Sequence, residues 1–184
     1  MTLTFAAKPT LTGTLVQLRP VLLADAAVFA AADDPEVDRL TGTHAEFTVG
    51  QLEAWYGSRA DHDDRLDLAI VELASGEVAG EVVLSGLDAD NRSCGFRIML
   101  FRSRHFGRGF GGEATRLILD HAFATVGVNR VELEVYAHNP RARHVYEKAG
   151  FVYEGTKREA LLWNGESIDA HLMAMLRSDW EAHR

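Results

Sequence analysis

The spacing of hydrophobic and polar positions changes several times along the chain, and its middle part has the period of β-strands. Leu66, Leu68 and Ile70 occupy alternate positions, which is typical of a half-buried strand. Two further apolar runs, at 78–84 and 94–100, follow after short turns. Because strands joined by short turns pair as antiparallel neighbours, the three runs predict an antiparallel meander.

The chain ahead of the meander combines one strand with helical spacing. Residues 15–19 predict a short strand that ends at Pro20, since proline has no N–H to donate. An Ala-rich helix should follow, with Asp25 as its expected N-cap, and a second helix is predicted at 49–59.

After the meander the chain alternates helix and strand and closes with a hairpin. A helix is predicted at 111–125 and a strand at 131–135. The next helix should begin at Asn139-Pro140, because asparagine is a good N-cap and proline fits the first helical position, and end at Gly150. Asn164-Gly165 predicts a hairpin between the last two strands. The fold class expected is α/β (α+β), with a central mixed, mostly antiparallel sheet flanked by helices.

Composition excludes several classes of function. The chain has 184 residues, the length of one domain, so we expect residues 1–184 to form a single domain. The net charge of −8 argues against nucleic-acid binding, and no apolar run is long enough for a membrane helix. The N-terminus lacks the pattern of a signal peptide, and the lone Cys94 allows no internal disulfide. We therefore expect a cytoplasmic protein, and we expect no bound metal.

A glycine-rich segment lies between the last strand of the meander and the next helix. Its sequence is Arg104-His105-Phe106-Gly107-Arg108-Gly109-Phe110-Gly111-Gly112. Glycines let a phosphate approach the backbone, and the N-terminus of the following helix offers free N–H groups and a positive dipole end. Arginines gather here and at 141 and 143, although the chain is acidic overall. The segment therefore predicts a site for the pyrophosphate of a small anionic ligand.

Two classes of pyrophosphate ligand fit this loop. Gly107, Gly109 and Gly112 also satisfy the Gly-x-Gly-x-x-Gly pattern of dinucleotide-binding folds, and Glu132 follows about twenty residues later. A dinucleotide fold opens with the strand that carries the motif, whereas here a meander precedes it. Too few elements follow Val135 to supply the remaining βα units. The order of elements therefore disfavours NAD or NADP as the ligand.

Two motifs occur in a fixed order, and together they resemble those of a known family. The first is Arg104-x-x-Gly107-x-Gly109. The second, at 139–151, is an Asn-led helix that ends in Tyr-Glu-Lys-Ala-Gly-Phe. Both resemble the motifs of the GCN5-related N-acetyltransferases (GNAT), whose topology also matches the predicted order of elements. The closing run of the chain is similar to that of the RimJ/RimL-type branch, which includes protein N-terminal acetyltransferases. The similar positions are Glu154-Gly155, Arg158, Gly165 and Asp169.

The resemblance implies acetyl-CoA as co-substrate, bound where two parallel strands splay apart. The exposed edge of the first strand would pair with the pantetheine arm, and Asn139 would hydrogen-bond to that arm. Arg143, or its neighbour Arg141, would reach the nucleotide phosphate. The implied strand edge is Ile98, Met99 and Leu100, and the implied pyrophosphate site is Arg104, Gly107, Arg108, Gly109, Phe110, Gly111 and Gly112.

The resemblance also implies direct acetyl transfer to a primary amine, either a protein N-terminus or a small molecule. Tyr146 would act as the general acid for the departing thiolate. Ala142 stands where the branch often has serine, and its methyl group cannot donate a proton. The chain departs from the family at the base, because Ser93 stands where relatives often carry glutamate. The candidate bases are Glu81, Asp169 and His171.

Other functions stay open at this point. Ser93 leaves a non-catalytic acyl-CoA-binding or regulatory module as the alternative to an enzyme, and the loop by itself leaves a dinucleotide oxidoreductase. The acceptor is not encoded in any motif. Because family members are often dimers, the resemblance also implies a homodimer.

Overall fold

The computed structural model describes residues 3–184, and its centre is one eight-stranded sheet. The strands are β1 (Leu11–Thr12), β2 (Val16–Pro20), β3 (Leu66–Glu72), β4 (Val78–Asp88), β5 (Ser93–Leu100), β6 (Arg130–Tyr136), β7 (Val152–Trp163) and β8 (Glu166–Leu176). Their order across the sheet is β1-β2-β3-β4-β5-β6-β8-β7. Only β5 and β6 are parallel neighbours among the described strands; the other adjacent pairs are antiparallel. The predicted mixed, mostly antiparallel sheet is confirmed.

Six helices surround the sheet in the described part of the chain. They are α1 (Asp25–Ala30), α2 (Pro35–Thr41), α3 (Val49–Ser58), α4 (Phe110–Asp120), α5 (Pro140–Ala149) and α6 (Arg177–Ala182). The predicted helix at 111–125 is α4 followed by a wider, π-type segment, His121–Val126. The sequence predictions missed β1, α2 and α6, which are all short.

The alternation along β3 assigns the helices to opposite faces of the sheet. Leu68 and Ile70 belong to the large core cluster that includes Ala114 and Ile118 of α4. Ala69 lies between them in sequence and belongs to a second cluster, which Phe29 of α1 packs against. Side chains of a strand point alternately to the two faces. Helix α4 therefore covers one face, and α1 covers the other.

The expected cap of α1 is wrong, and a helix cap was missed nearby. Asp25 is the first residue inside α1, and its carboxylate pairs with Arg19 at 2.8 Å instead of capping the helix. An aspartate caps the next helix, α2. There Asp34 accepts hydrogen bonds from the first turn, and Pro35 occupies the first helical position.

The parallel pairing of β5 with β6 is short. It comprises three residue pairs, which join Ser93–Gly95 to Arg130–Glu132. Beyond Gly95, β5 pairs with β4 alone, and β6 continues beside β8. The two strands therefore splay apart, and one edge of the second half of β5 is left without a strand partner.

None of the helices in the described part of the chain has both the length and the apolar character needed to cross a membrane.

Candidate active site

A cavity of about 230 Å³ lies where β5 and β6 separate, and we call it the loop cavity. Its walls are the free edge of β5, the glycine loop, and residues of α2 and α5. The sequence-predicted residues that line it are Ile98, Met99, Leu100, Gly107, Gly109, Phe110, Gly111, Gly112, Asn139 and Tyr146. The fold thus brings both sequence motifs to one cavity.

The N-terminus of α4 has the properties of an anion site. Gly109 is its N-cap, with φ +85°, and no side chain caps the first turn. The first N–H groups of a helix have no partner within the helix, so they are available to a ligand. A Cβ placed on Gly111 or Gly112 would meet no protein atom within 4 Å and would instead take up space at the cavity wall. The backbone here leaves space at the cavity wall, and phosphate binding by these glycines stays a prediction.

Most arginines of the two motifs, unlike the glycines, do not line the loop cavity and pair with glutamates instead. Arg104 is hydrogen-bonded to Glu77, and Arg108 to Glu72, and neither arginine lines the loop cavity. Arg143 pairs with Glu147 at 2.8 Å, also outside the cavity. Arg141 does line the cavity and lies 4.0 Å from the centre of the Phe106 ring. Phosphate binding by Arg104, Arg108 and Arg143 stays a prediction.

A second cavity, of about 310 Å³, lies on the other side of the strand splay. We call it the aromatic cavity because seven aromatic side chains line it: Phe29, Phe47, Trp55, Tyr56, Phe96, Tyr136 and Tyr146. It shares six lining residues with the loop cavity: Leu40, Thr41, Ile98, Met99, Asn139 and Tyr146. The two cavities therefore meet at the free edge of β5.

Tyr146 stands at this junction. Its ring packs edge-on against Phe96 and Phe151, with centroid distances of 5.8 and 6.0 Å. Burial raises the pKa of its hydroxyl, so the group stays protonated at neutral pH. Among the described residues, the hydroxyl has no hydrogen-bond partner. A fixed ring with an uncommitted O–H is suited to donating a proton to a ligand atom in the junction.

Asn139 also reaches the junction, but its side chain already makes protein contacts. Its Oδ1 accepts from the N–H of Ala142 at 3.1 Å, which is the predicted N-cap of α5. Its Nδ2 lies 3.4 Å from the carbonyl oxygen of Leu40 in α2. Asn139 therefore joins α5 to α2 across both cavities, and its contact with pantetheine stays a prediction.

Glu81 supplies the buried carboxylate of the aromatic cavity. The residue is 7% exposed; Tyr56 donates to its Oε2 at 2.9 Å and Arg97 to its Oε1 at 3.1 Å. Burial raises the pKa of Glu81, while Arg97 and the Tyr56 hydroxyl act in the opposite direction. A carboxylate with a raised pKa is a better proton acceptor near neutral pH.

The other two candidate bases lie elsewhere. Asp169 accepts from the backbone N–H of Glu159 at 2.8 Å, within the β7–β8 hairpin. His171 contacts Thr156 and Tyr153 of the same hairpin. Neither lines the loop cavity or the aromatic cavity. Ser93 lies at the closed end of the β5–β6 pair, opposite Arg130.

A third cavity, of about 370 Å³, continues outward from the aromatic cavity and shares Phe29, Thr43, Phe47 and Met99 with it. We call it the acidic cavity because four carboxylates and no basic side chain line it: Asp33, Asp34, Asp38 and Glu46. Burial, followed by the charges of Asp33 and Asp34, raises the pKa of Asp38. The negative charge of Asp38 is thus not compensated by a neighbouring cation in the described structure.

Sequence reasoning missed one residue that holds the site together. Glu113, in the first turn of α4, accepts from the backbone N–H groups of Thr14, Leu15 and Val16 at 2.7 to 2.9 Å. This contact fixes the glycine loop to the β1–β2 connection. The signal in the sequence was an acidic residue directly after the glycine-rich segment, in the first turn of a predicted amphipathic helix. The structure shows that this residue is 5% exposed.

The comparisons with known proteins agree with this geometry. The family model of the acetyltransferase (GNAT) domain matches residues 16–152. The chain belongs to the GNAT acetyltransferases. A protein named spermidine N(1)-acetyltransferase, from Vibrio cholerae, is 32% identical over 130 residues, which are 71% of this chain and 74% of that protein. The L-amino acid N-acetyltransferase AaaT of Escherichia coli is 33% identical over 110 residues, 59% of this chain and 67% of that one.

A solved structure shares the GNAT fold. The spermidine N-acetyltransferase from Vibrio cholerae, in complex with CoA and spermine, superposes with a TM-score of 0.83 at 24% identity. The match covers 92% of this chain and 99% of that one. Together with the antiparallel β3–β4–β5 meander, the family match excludes the dinucleotide-binding fold. This GNAT protein is an acetyl-CoA-dependent N-acetyltransferase, and its loop cavity combines a free strand edge with a helix N-terminus.

Proposed function

We propose that this enzyme transfers the acetyl group of acetyl-CoA directly to a primary amine at the junction of the loop cavity and the aromatic cavity. The observation that carries the proposal is that the two cavities share Tyr146, Asn139 and the free edge of β5. A donor in one cavity and an acceptor in the other would thus meet without a covalent intermediate on the protein. The buried Cys94 lines neither cavity, so we assign it no part in the transfer.

The donor half of the reaction would use the backbone more than side chains. The free edge at Ile98, Met99 and Leu100 offers N–H and C=O groups to the amides of the pantetheine arm, and an N–H to the thioester oxygen. The uncapped first turn of α4 at Gly111 and Gly112 would receive the pyrophosphate.

The proton transfers would involve two side chains. Glu81, directly or through a water molecule, would take the proton that the attacking ammonium must lose before its nitrogen can form the new C–N bond. As the C–S bond breaks, Tyr146 would donate its phenolic proton to the thiolate, and CoA would leave as the thiol. The second proton that the nitrogen loses on becoming the amide would return to the Tyr146 phenolate, directly or through a water molecule. Tyr56 and Arg97, which bond the two oxygens of Glu81, would fix its orientation.

We propose further that the acceptor carries more than one positive charge, as a polyamine does. The walls of the acidic cavity support this, because they place negative charge beyond the aromatic cavity where the far end of a long amine would extend. The similarity to a protein named spermidine N(1)-acetyltransferase points the same way.

A thiol-release assay with purified enzyme and acetyl-CoA tests both proposals. The panel contains spermidine, an L-amino acid, an aminoglycoside and a peptide with a free N-terminus. It also contains butane-1,4-diamine and butylamine, a pair of equal chain length. We expect the diamine to have the higher kcat/KM. Preference for butylamine would contradict the polyamine class alone. If none of the amines in the panel gives thiol release, although the protein binds CoA, a non-catalytic module is favoured.

Five finer predictions extend this function. The closing run of the chain favours the RimJ/RimL-type branch, and the peptide in the panel tests the protein N-terminal acceptor that this branch implies. We also propose that residues 1–184 form a single domain that acts as a homodimer, and that the enzyme works in the cytoplasm without a metal. Light scattering of the purified protein tests the dimer.

A further inference from the structure

The final hairpin, formed by β7 and β8, extends past the strand beside it. Strand β8 pairs with β6 only as far as Ala170, which lies opposite Tyr136. Further from the sheet, β8 continues to pair with β7 alone. Residues 158–168 therefore project beyond the β6 ladder, and we call them the hairpin end.

A bulge bends β7 at the start of the hairpin end, and Asp169 holds it. Residues 158–160 of β7 stand opposite Asp169 of β8, so the pairing register shifts there. Glu159 has a φ of +51°, which non-glycine residues rarely adopt, and its N–H donates to Oδ1 of Asp169 at 2.8 Å. Bulges bend a strand and redirect the side chains that follow them. The Asp169 carboxylate thus stabilises the bend that gives the hairpin end its direction.

Beyond the bulge, two side chains of β7 contact the α2–α3 loop, residues 42–48. Leu161 is only 6% exposed, although most of β7 is exposed, and a Cβ added to Gly42 would come within 3.1 Å of its Cδ1. Trp163 stacks on His44, with ring centroids 4.9 Å apart and 30° between the ring planes. The hairpin end therefore packs directly against this loop.

The α2–α3 loop forms part of the wall shared by the aromatic cavity and the acidic cavity. Thr43 and Phe47 line both cavities, and Glu46 lines the acidic one. His44 follows Thr43 in sequence but lines neither cavity, because its ring lies against Trp163. The hairpin end thus supports this wall from the side away from the cavities.

We propose that Trp163 and Asp169 are positioning residues for the amine acceptor. Asp169 fixes the bend of the hairpin, and Trp163 holds the α2–α3 loop in the shape that the acceptor binds. A loop that is ordered in advance loses less conformational entropy when the acceptor enters. The proposal rests on the acceptor site given under the proposed function. It gives Asp169 a part that is not proton transfer, since its carboxylate bonds to the β7 backbone outside all three cavities.

Steady-state kinetics with butane-1,4-diamine and acetyl-CoA test the part played by Trp163. Trp163→Ala should raise KM for the diamine about threefold to tenfold, which is the usual value of one aromatic contact. Because residues 42–48 lie outside the loop cavity, kcat and KM for acetyl-CoA should change by less than about twofold. Trp163→Phe keeps a ring for His44 and should restore most of the lost affinity. Leu162→Ala is the matched control, since Leu162 is 63% exposed on the same strand.

Two variants of Asp169 separate positioning from proton transfer. Asp169→Ala removes the acceptor of the Glu159 N–H and should raise KM for the diamine as Trp163→Ala does. Asp169→Asn keeps an oxygen for that N–H and should restore KM for the diamine. Because an amide cannot accept the ammonium proton, a loss of kcat in Asp169→Asn of more than about tenfold would make Asp169 the base and overturn the proposal.

Hydrogen exchange of the free enzyme tests the hold on the loop without any substrate. The N–H groups of Gly42 and Thr43 both donate to the carbonyl oxygen of Asp38, and they should exchange several-fold faster in Trp163→Ala and Asp169→Ala. Unchanged exchange in both variants overturns the inference, and so does an equal rise of KM for the diamine and for acetyl-CoA. Failure of the proposed function gives a different result: the wild type acetylates no amine, while the difference in exchange still supports the contact between hairpin and loop.

Discussion

At the scale of single residues, the proposed function depends on a few atoms that the protein leaves without partners. The Tyr146 hydroxyl and the first N–H groups of α4 have no hydrogen-bond partner among the described side chains. Unpaired polar groups at a cavity wall cost stability, and binding a ligand recovers that cost. Substitutions at these positions should therefore separate activity from stability.

Tyr146→Phe should lower kcat by roughly 10²- to 10³-fold, the usual contribution of a general acid. The melting temperature should stay the same, because the ring keeps its contacts with Phe96 and Phe151 and the lost hydroxyl had no protein partner. Because the pKa of Tyr146 is raised, its proton should not be lost in the wild type below about pH 10. Steady-state kinetics of this variant and of Tyr153→Phe, a tyrosine on the surface, would check this; an unchanged kcat would remove Tyr146 from the mechanism.

Gly111→Ala should stabilise the enzyme and weaken its binding of acetyl-CoA. Alanine in a helix is more stable than glycine by about 0.5–1 kcal/mol, and the added Cβ meets no protein atom within 4 Å. The same Cβ would occupy space at the phosphate site, so we expect KM for acetyl-CoA to rise roughly tenfold, equivalent to about 1.4 kcal/mol.

Gly50→Ala is the control for this change. Gly50 is the second residue of α3, as Gly111 is of α4, and a Cβ there also meets nothing within 4 Å. It should raise the melting temperature without changing KM. An equal KM for Gly111→Ala and wild type would show that the phosphate does not approach this turn.

At the scale of elements, one carboxylate joins the ligand-binding helix to the sheet edge. Burial by itself raises the pKa of Glu113, but hydrogen bonds from Thr14, Val16 and Leu15 outweigh it and lower the pKa to about 2 from an ordinary 4.5. Because the folded-state pKa is the lower one, the stabilisation is complete above about pH 4.5 and is lost as the pH falls through about 2.

Glu113→Gln should therefore lower the free energy of unfolding by about 2 kcal/mol at pH 7, since buried N–H groups lose a charged acceptor. The variant should also be less sensitive to acid than the wild type. Urea unfolding at pH 7 and at pH 3 measures both effects, with Glu53→Gln, an exposed position on α3, as the control. A difference that does not shrink at the lower pH would contradict the role given to the carboxylate.

How far the elements were predictable depended on their length and on local signals. The meander, α4, α5 and the Asn164-Gly165 hairpin have clear periods and caps, and the structure confirms them. Helix α2 has only seven residues, and the Asp34-Pro35 cap signal was overlooked, although α2 lines both cavities at the junction. Short elements of this kind are fixed by tertiary packing, which a local pattern does not reveal.

At the scale of the whole molecule, the sequence predicted the lining of the loop cavity much better than that of the aromatic and acidic cavities. The loop cavity is built mainly from two continuous motifs, so its residues could be read in order along the chain. The aromatic and acidic cavities combine α1, α2, α3 and the strands β4, β5 and β6, which long-range packing brings together. Glu81 was only one of three candidate bases until the fold placed it beside Tyr56 and Arg97.

Four carboxylates of this acidic chain line the acidic cavity, where they bear on the proposed acceptor. Asp38→Asn combined with Glu46→Gln should raise KM for butane-1,4-diamine about threefold to tenfold, because two wall charges of the acidic cavity are removed. KM for butylamine should stay the same, and Glu166→Gln, an exposed position in the final hairpin, should change neither. In the wild type, added salt should lower kcat/KM more for the diamine than for butylamine; equal salt sensitivity would argue against the acidic cavity as a binding site.

The β5–β6 pairing ends after three residue pairs, so the sheet of the free enzyme contains an open strand edge. A strand edge with open amides is normally found at the rim of a sheet, where another chain can reach it and aggregate. Here the open edge lies in the interior of the sheet, between two cavities walled by α2 and α5. If the pantetheine arm pairs with this edge, as proposed above, the co-substrate takes the place of the missing stretch of strand. The sheet should then reach its full hydrogen bonding, and its greatest resistance to amide exchange, only when acetyl-CoA is bound.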